Sequence, residues 1–189
     1  EDKLPRGDFE RGRLPQLRTH ADPQVRAKGA LLEKKFQIGN RNDVLKAYQG
    51  ALTLKGDVTR GRNAFRRTCV VCHRLEGVGY EIGPSLATIK TRGADAILLN
   101  LLDPNREVNP QFVNYLVTTK AGKTFTGLIA GETATSVTLK RAENQTDTIL
   151  RLDIDEMRSS GVSLMPEGLE KDLDKQGVAD LIAYLLQTN

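Results

Sequence analysis

The sequence predicts an α+β fold: a mainly helical body with an N-terminal helical segment, interrupted by a small five-stranded β insert. Apolar residues recur at helical spacing up to about residue 102 and again from 174 onward, whereas β-branched runs separated by turn residues fill 113–158. Both cysteines of the chain stand together in Cys69-Val70-Val71-Cys72-His73. The length of 189 residues suits one ordinary domain or two small ones, and 39% hydrophobic residues are enough for a buried core. Tryptophan is absent and aromatics are only 5%, so the core is lean, as in a protein that fills part of its interior with a cofactor.

Two helices are expected within residues 1–50. Asp22-Pro23 is a start signal, with proline at the first helical position. Val25, Leu32 and Phe36 then share a stripe that Gly29 weakens. A second helix spans Asn42 to Tyr48. The stretch Leu17 to Arg26 resembles the turn and second-helix start of a HEAT-type repeat, the tail of an upstream array if so; a plain helical linker is the alternative.

Gly56-Asp57 marks the next boundary. The helix that follows carries Val58, Gly61, Ala64, Phe65 and Thr68 on one face. Glycine inside a helix costs about 1 kcal/mol relative to alanine, so Gly61 predicts close approach of another helix. The expected partner is the terminal helix over 174–187, whose stripe is Val178, Leu181, Ile182 and Leu185 with Tyr184 beside it. Gly77, Gly79 and Gly83-Pro84 predict an irregular loop after the cysteines, and Ala94 to Leu102 a short helix stopped by Asp103-Pro104.

Strands are expected at Tyr115–Thr119, Thr124–Ala130, Ser136–Lys140, Thr146–Leu152 and Ile154–Met157. Five short strands with tight turns predict curling into a small barrel to avoid open edges.

Chemistry concentrates in the C-x-x-C-H run. Two thiols three positions apart on one helical turn can each form a thioether to a vinyl group, and the following imidazole then points at the iron. The run therefore reads as a haem c attachment site. A zinc site and a redox dithiol use similar residues. Zinc takes at least three protein ligands, and outside the motif the chain adds only His20, far upstream, as an imidazole. A redox C-x-x-C follows a strand in a βαβ context, whereas Asp57 to Thr68 has helical spacing.

Charge divides unevenly. Residues 1–50 hold 11 Lys/Arg against 7 Asp/Glu, which accounts for the whole net charge of +4. Residues 59–92 carry seven basic and two acidic side chains, consistent with electrostatic steering around the motif. The insert carries six of each sign, with Tyr115 and Phe125 as its aromatics, which argues against a nucleic-acid surface. No apolar run reaches the roughly 18 residues of a membrane span. The chain opens with Glu1-Asp2-Lys3 and no apolar leader. Haem c attachment takes place outside the cytoplasm in bacteria, so the expectation is a periplasmic or otherwise extracytoplasmic protein, in mature form or cut from a longer exported chain.

Asp57, Gly61, Phe65, the C-x-x-C-H run, Gly83-Pro84 and a final apolar helix containing Tyr184 together resemble a class I cytochrome c. The resemblance is closer to the haem-binding domain at the C-terminal end of large exported planctomycete and verrucomicrobial proteins. In those a helical-repeat or dehydrogenase-like propeller region often lies upstream. It covers nearly everything from about residue 51 to the end, including the insert and the Ser163-Leu164-Met165-Pro166-Glu167-Gly168-Leu169 run that directly follows it. The domains implied are 1–50, a cytochrome unit of 51–112 plus 159–189, and an insert at 113–158 that is similar to Sm-like or SH3-like barrels.

The resemblance implies one covalent haem c through Cys69 and Cys72, with His73 as one iron ligand and Met165 as the other. Met157, in the last strand, and an open sixth position are the alternatives. It further implies that the Pro84 carbonyl accepts a hydrogen bond from His73 and that Arg92 meets a haem propionate, unless Arg92 is a solvated surface arginine. Tyr80, Ile82, Leu86, Ile97, Leu101, Phe112 and Leu164 are expected to wall the pocket. His73 and Met165 lie 92 positions apart, so the insert must bring its two ends together. The function implied is electron transfer for a fused or partner dehydrogenase, without catalysis by this chain. A haem-based sensor or peroxidase with an open iron position, and a docking module that uses the insert, are the rival readings.

Overall fold

A computed structural model of the chain describes residue 17 and residues 19–36 and 41–187. The expectations for residues 1–16, for Arg18 and for the Leu32 and Phe36 side chains lie outside the described residues.

Helix α1 (Pro23–Phe36) starts where Asp22-Pro23 predicts, with Asp22 Oδ1 accepting the Gln24 N–H at 2.8 Å. Helix α2 (Asn42–Tyr48) lays Val44, Leu45 and Tyr48 against the main core. Tyr48 Oη donates to the Glu170 and Leu173 carbonyls at 2.9 and 3.1 Å, tying this segment to the far end of the chain.

Helix α3 (Val58–Thr68) is capped by Asp57, whose carboxylate accepts the Arg60 N–H at 2.8 Å, a contact worth about 1 kcal/mol. Its buried face is Gly61, Ala64 and Phe65. Helix α4 is Gly93–Leu102, with Ile97, Leu98, Leu101 and Leu102 buried, and helix α5 is Lys175–Gln187. The crossing of α3 and α5 fulfils the reading of Gly61. A Cβ there would overlap the Asp180 carbonyl and lie 2.8 Å from Tyr184 Cβ, so no side chain fits. Phe65 and Tyr184 meet at the same crossing with ring centroids 5.7 Å apart.

Sequence analysis missed the polar lock beside it. Asp180 is 2% exposed and accepts from Arg60 Nε at 2.6 Å, Arg60 Nη2 at 2.9 Å, the Asp57 N–H at 2.8 Å and Gln176 Nε2 at 2.8 Å. Led by the Arg60 hydrogen bonds, these donors outweigh burial and hold its carboxyl down at about 2.

The insert is antiparallel, with strands β1 (Val113–Thr119), β2 (Thr124–Glu132), β3 (Ser136–Lys140), β4 (Thr146–Leu150) and β5 (Ile154–Ser163) in the order β4-β3-β2-β1-β5. It does not close into the expected barrel: β4 and β5 are the two edges. β1 takes up β5 from Val113↔Ser163 to Thr119↔Ile154, and a bulge between Ile129 and Gly131 bends β2 where it pairs with β3. The sheet thus curls over a small core of Val117, Val137, Leu139 and Ile149 without a hydrogen-bonded seam. Its edges are blunted differently, β4 by being only five residues long and β5 by Asp155, Glu156 and Arg158. β5 also continues six residues past Met157. The pairing Val113↔Ser163 and the Leu164 N–H donated to the Phe112 carbonyl at 3.0 Å bring both ends of the insert together.

Candidate haem site

Helix α3 delivers the cysteine motif directly from its C-terminus. The Cys69 N–H closes the helix on the Phe65 carbonyl at 2.8 Å, and the Cys72 and His73 N–H groups then turn back onto the Cys69 carbonyl at 3.1 and 2.8 Å. The glycine loop folds over this turn. Tyr80 N–H donates to the Val70 carbonyl at 3.0 Å, and Ile82 and Gly83 N–H groups to that of Cys72 at 2.9 and 2.8 Å. Pro84 is thereby placed with its carbonyl 3.0 Å from His73 Nδ1.

A carbonyl only accepts, so Nδ1 carries the proton and Nε2 keeps its lone pair for a metal. Gly83 makes room for the ring: a Cβ there would overlap Cε1 and sit 2.9 Å from both ring nitrogens. Burial lowers the His73 pKa, partly opposed by the Pro84 hydrogen bond, which favours the neutral, ligating imidazole.

The thiols behave differently from a redox pair. Burial, with Cys72 adjacent, pushes Cys69 up to about 12, and burial raises Cys72 as well. A redox dithiol works through a depressed thiol pKa, so exchange chemistry loses its electrostatic basis. Zinc fares no better. Among the described residues no group of three or more His, Cys, Asp or Glu side chains could hold a metal ion, and the exposed His20 accepts the Asp22 N–H instead.

These groups share a cavity of about 320 Å³. Cys69, Cys72, His73 and Pro84 line it, together with the aliphatic Ile82, Leu86, Ile97 and Leu101. Phe112, Leu164 and Met165 reach it from the two ends of the insert, and Leu128 from strand β2. Two thiols, a neutral imidazole and a mostly apolar slot fit a covalently bound haem.

Three placements refine the sequence reading. Tyr80 is not among the cavity's lining residues and is 39% exposed, with its N–H donated to the Val70 carbonyl. Arg92 does line it, in an ion pair with Glu107 at 3.5 Å between two half-exposed side chains. Met157 packs against the sheet core and is not among the cavity's lining residues. Sequence reasoning also missed how closely the insert covers the motif. The Glu143 N–H donates to the Val71 carbonyl at 2.8 Å and Lys140 Nζ to the Glu81 carbonyl at 3.1 Å. Nothing local in the sequence signals either contact.

Comparison with known proteins agrees with this chemistry. The cytochrome c family model matches residues 58–125, which include the whole C-x-x-C-H run. A cytochrome c-553-like protein from a Synechocystis strain is 38% identical over 78 residues, covering 35% of this chain and 73% of that protein. The chain belongs to the class I cytochrome c family. It carries one haem c, attached through Cys69 and Cys72, and is a haem-based electron-transfer module.

Proposed function

We propose that this is a monohaem electron carrier with His73 and Met165 as iron ligands, exported from the cytoplasm and serving a fused or partner dehydrogenase. One observation carries the ligand assignment: Met165 lines the same cavity as an imidazole whose Nδ1 is already committed to Pro84. A thioether is a soft, neutral donor, and paired with histidine it raises the potential of haem iron relative to harder ligation. The iron supplies the one-electron chemistry, and the chain's part is to hold both ligands, exclude water and keep the ring in a low-dielectric slot. Arg92 is proposed to turn from Glu107 towards a propionate.

Residues 51–112 and 159–189 are read as the cytochrome unit, 113–158 as its insert and 1–50 as a preceding helical segment. The uninterrupted Met-Pro loop after the insert supports the planctomycete-type relationship, and with it a dehydrogenase as electron donor. No helix among the described residues is long and apolar enough to cross a membrane. The role is that of a carrier rather than an enzyme.

The test is carbon monoxide binding to the reduced protein at neutral pH. Slow, weak binding in the wild type and fast binding in Met165→Ala are expected. Equally ready binding in both would assign an open iron position and favour a sensor.

A further inference from the structure

The loop that carries Met165 is held by one amide from outside the cavity. Asn105 lies just past the end of α4, and its Oδ1 accepts the Ser163 N–H at 2.8 Å while its Nδ2 donates to Glu167 Oε1 at 2.5 Å. These contacts fall two residues before and two after Met165, so a single side chain spans the loop. Ser163 Oγ in turn accepts the Met165 N–H at 3.1 Å. Glu167 is braced from behind by Arg41 at 3.7 Å, itself paired to Glu170 at 2.6 Å and donating to the Leu102 carbonyl.

The residue type matters. An amide offers an acceptor to Ser163 and a donor to Glu167 at once; aspartate would keep the first and set a second carboxylate against Glu167, and alanine would lose both. Asn105 itself is not among the cavity's lining residues, so it acts on the iron site only through the loop.

We infer that Asn105 is a positioning residue for the sixth iron ligand, clamping Ser163 and Glu167 so that the Met165 loop stays closed on the haem. The inference rests on the His73/Met165 ligation proposed above. An external ligand reaches the iron only when the loop opens, so its apparent affinity is its intrinsic affinity multiplied by the open fraction. Weakening the clamp raises that fraction.

The test is imidazole binding to the oxidised, haem-loaded protein, with the far-red methionine-to-iron band and the denaturant midpoint recorded alongside. Asn105→Ala should bind imidazole about tenfold more tightly than wild type, the factor expected for losing one to two net hydrogen bonds. Asn105→Asp should fall between the two, and Glu167→Ala, which removes one arm, should gain about threefold. A merely structural role would lower the denaturant midpoint and leave imidazole affinity unmoved under native conditions. Affinities within about twofold of wild type in Asn105→Ala, or in Asn105→Asp and Glu167→Ala if the alanine variant does not accumulate, overturn the clamp. A wild type without the methionine band overturns the ligation and the clamp together, whereas a normal band with unmoved affinities sinks the clamp alone.

Discussion

On the His73 side, most anchors lie within residues 65–84: the helix end at Phe65, the turn onto Cys69, the loop bonds to Val70 and Cys72, and Pro84 against Nδ1, with the Glu143 N–H on the Val71 carbonyl added from the insert. On the Met165 side, the anchors come from Arg41, Asn105 and Phe112, between 52 and 129 positions from the residues of the loop they hold. The first arrangement is built mainly from neighbouring stretches of chain. The second joins stretches of chain on both sides of the insert, where Val113 pairs with Ser163. The histidine is therefore set mainly by local chain geometry and the proposed methionine ligand by tertiary packing, and the second has the larger scope for adjustment by residues that never touch haem.

The comparison breaks most severely at Gly83. Replacing it by alanine forces a Cβ into the His73 ring, and an overpacked site of this kind costs about 3 kcal/mol. The expected result is a disturbed histidine-side spectrum and a lowered denaturation midpoint, read by visible absorption and urea titration.

Asp180 probes the histidine side from a distance, because its carboxylate on α5 locks the start of α3, the helix that leads into the motif. Removing a buried, fully bonded carboxylate by Asp180→Ala should cost roughly 2–3 kcal/mol. Its carboxyl is held at about 2, below its ordinary 3.8, so the folded state binds the proton less readily than the unfolded one. The stabilisation is accordingly full above about pH 4 and lost as pH falls towards 2. Acid titration of stability should show wild type and Asp180→Asn converging over that window, and an unchanged gap would remove Asp180 from the account.

The smallest effect is expected at Met157. Met157→Leu is close to volume-conserving in the sheet core and should cost less than about 1.5 kcal/mol while leaving the haem spectrum unaltered. A changed spectrum would make Met157 a ligand.

Legibility in the sequence followed the same division. Cys69, Cys72 and His73 are readable because their chemistry depends on spacing along one turn. Gly61 and Phe65 are readable because a glycine on an apolar helical stripe has few uses other than close packing, and the terminal helix supplies the matching stripe. Asn105 reads only as part of the Asp103-Pro104 stop, since its two partners lie about 60 positions away. Asp180 is hidden on an apolar stripe for the same reason. Tyr80 stands three residues before Gly83-Pro84, yet it is 39% exposed and its N–H pairs with Val70, which nothing local in the sequence signals. The sheet stays open because short length and charge, rather than closure, protect the edges β4 and β5.

The central claim is that a tertiary-built loop supplies the second iron ligand. It is tested most directly by the far-red absorption of the oxidised protein, wild type beside Met165→Ala. The account predicts a weak methionine-to-iron band in the wild type that disappears in the variant, with a lowered midpoint potential. A band that survives the substitution, or is absent from the wild type, would contradict it.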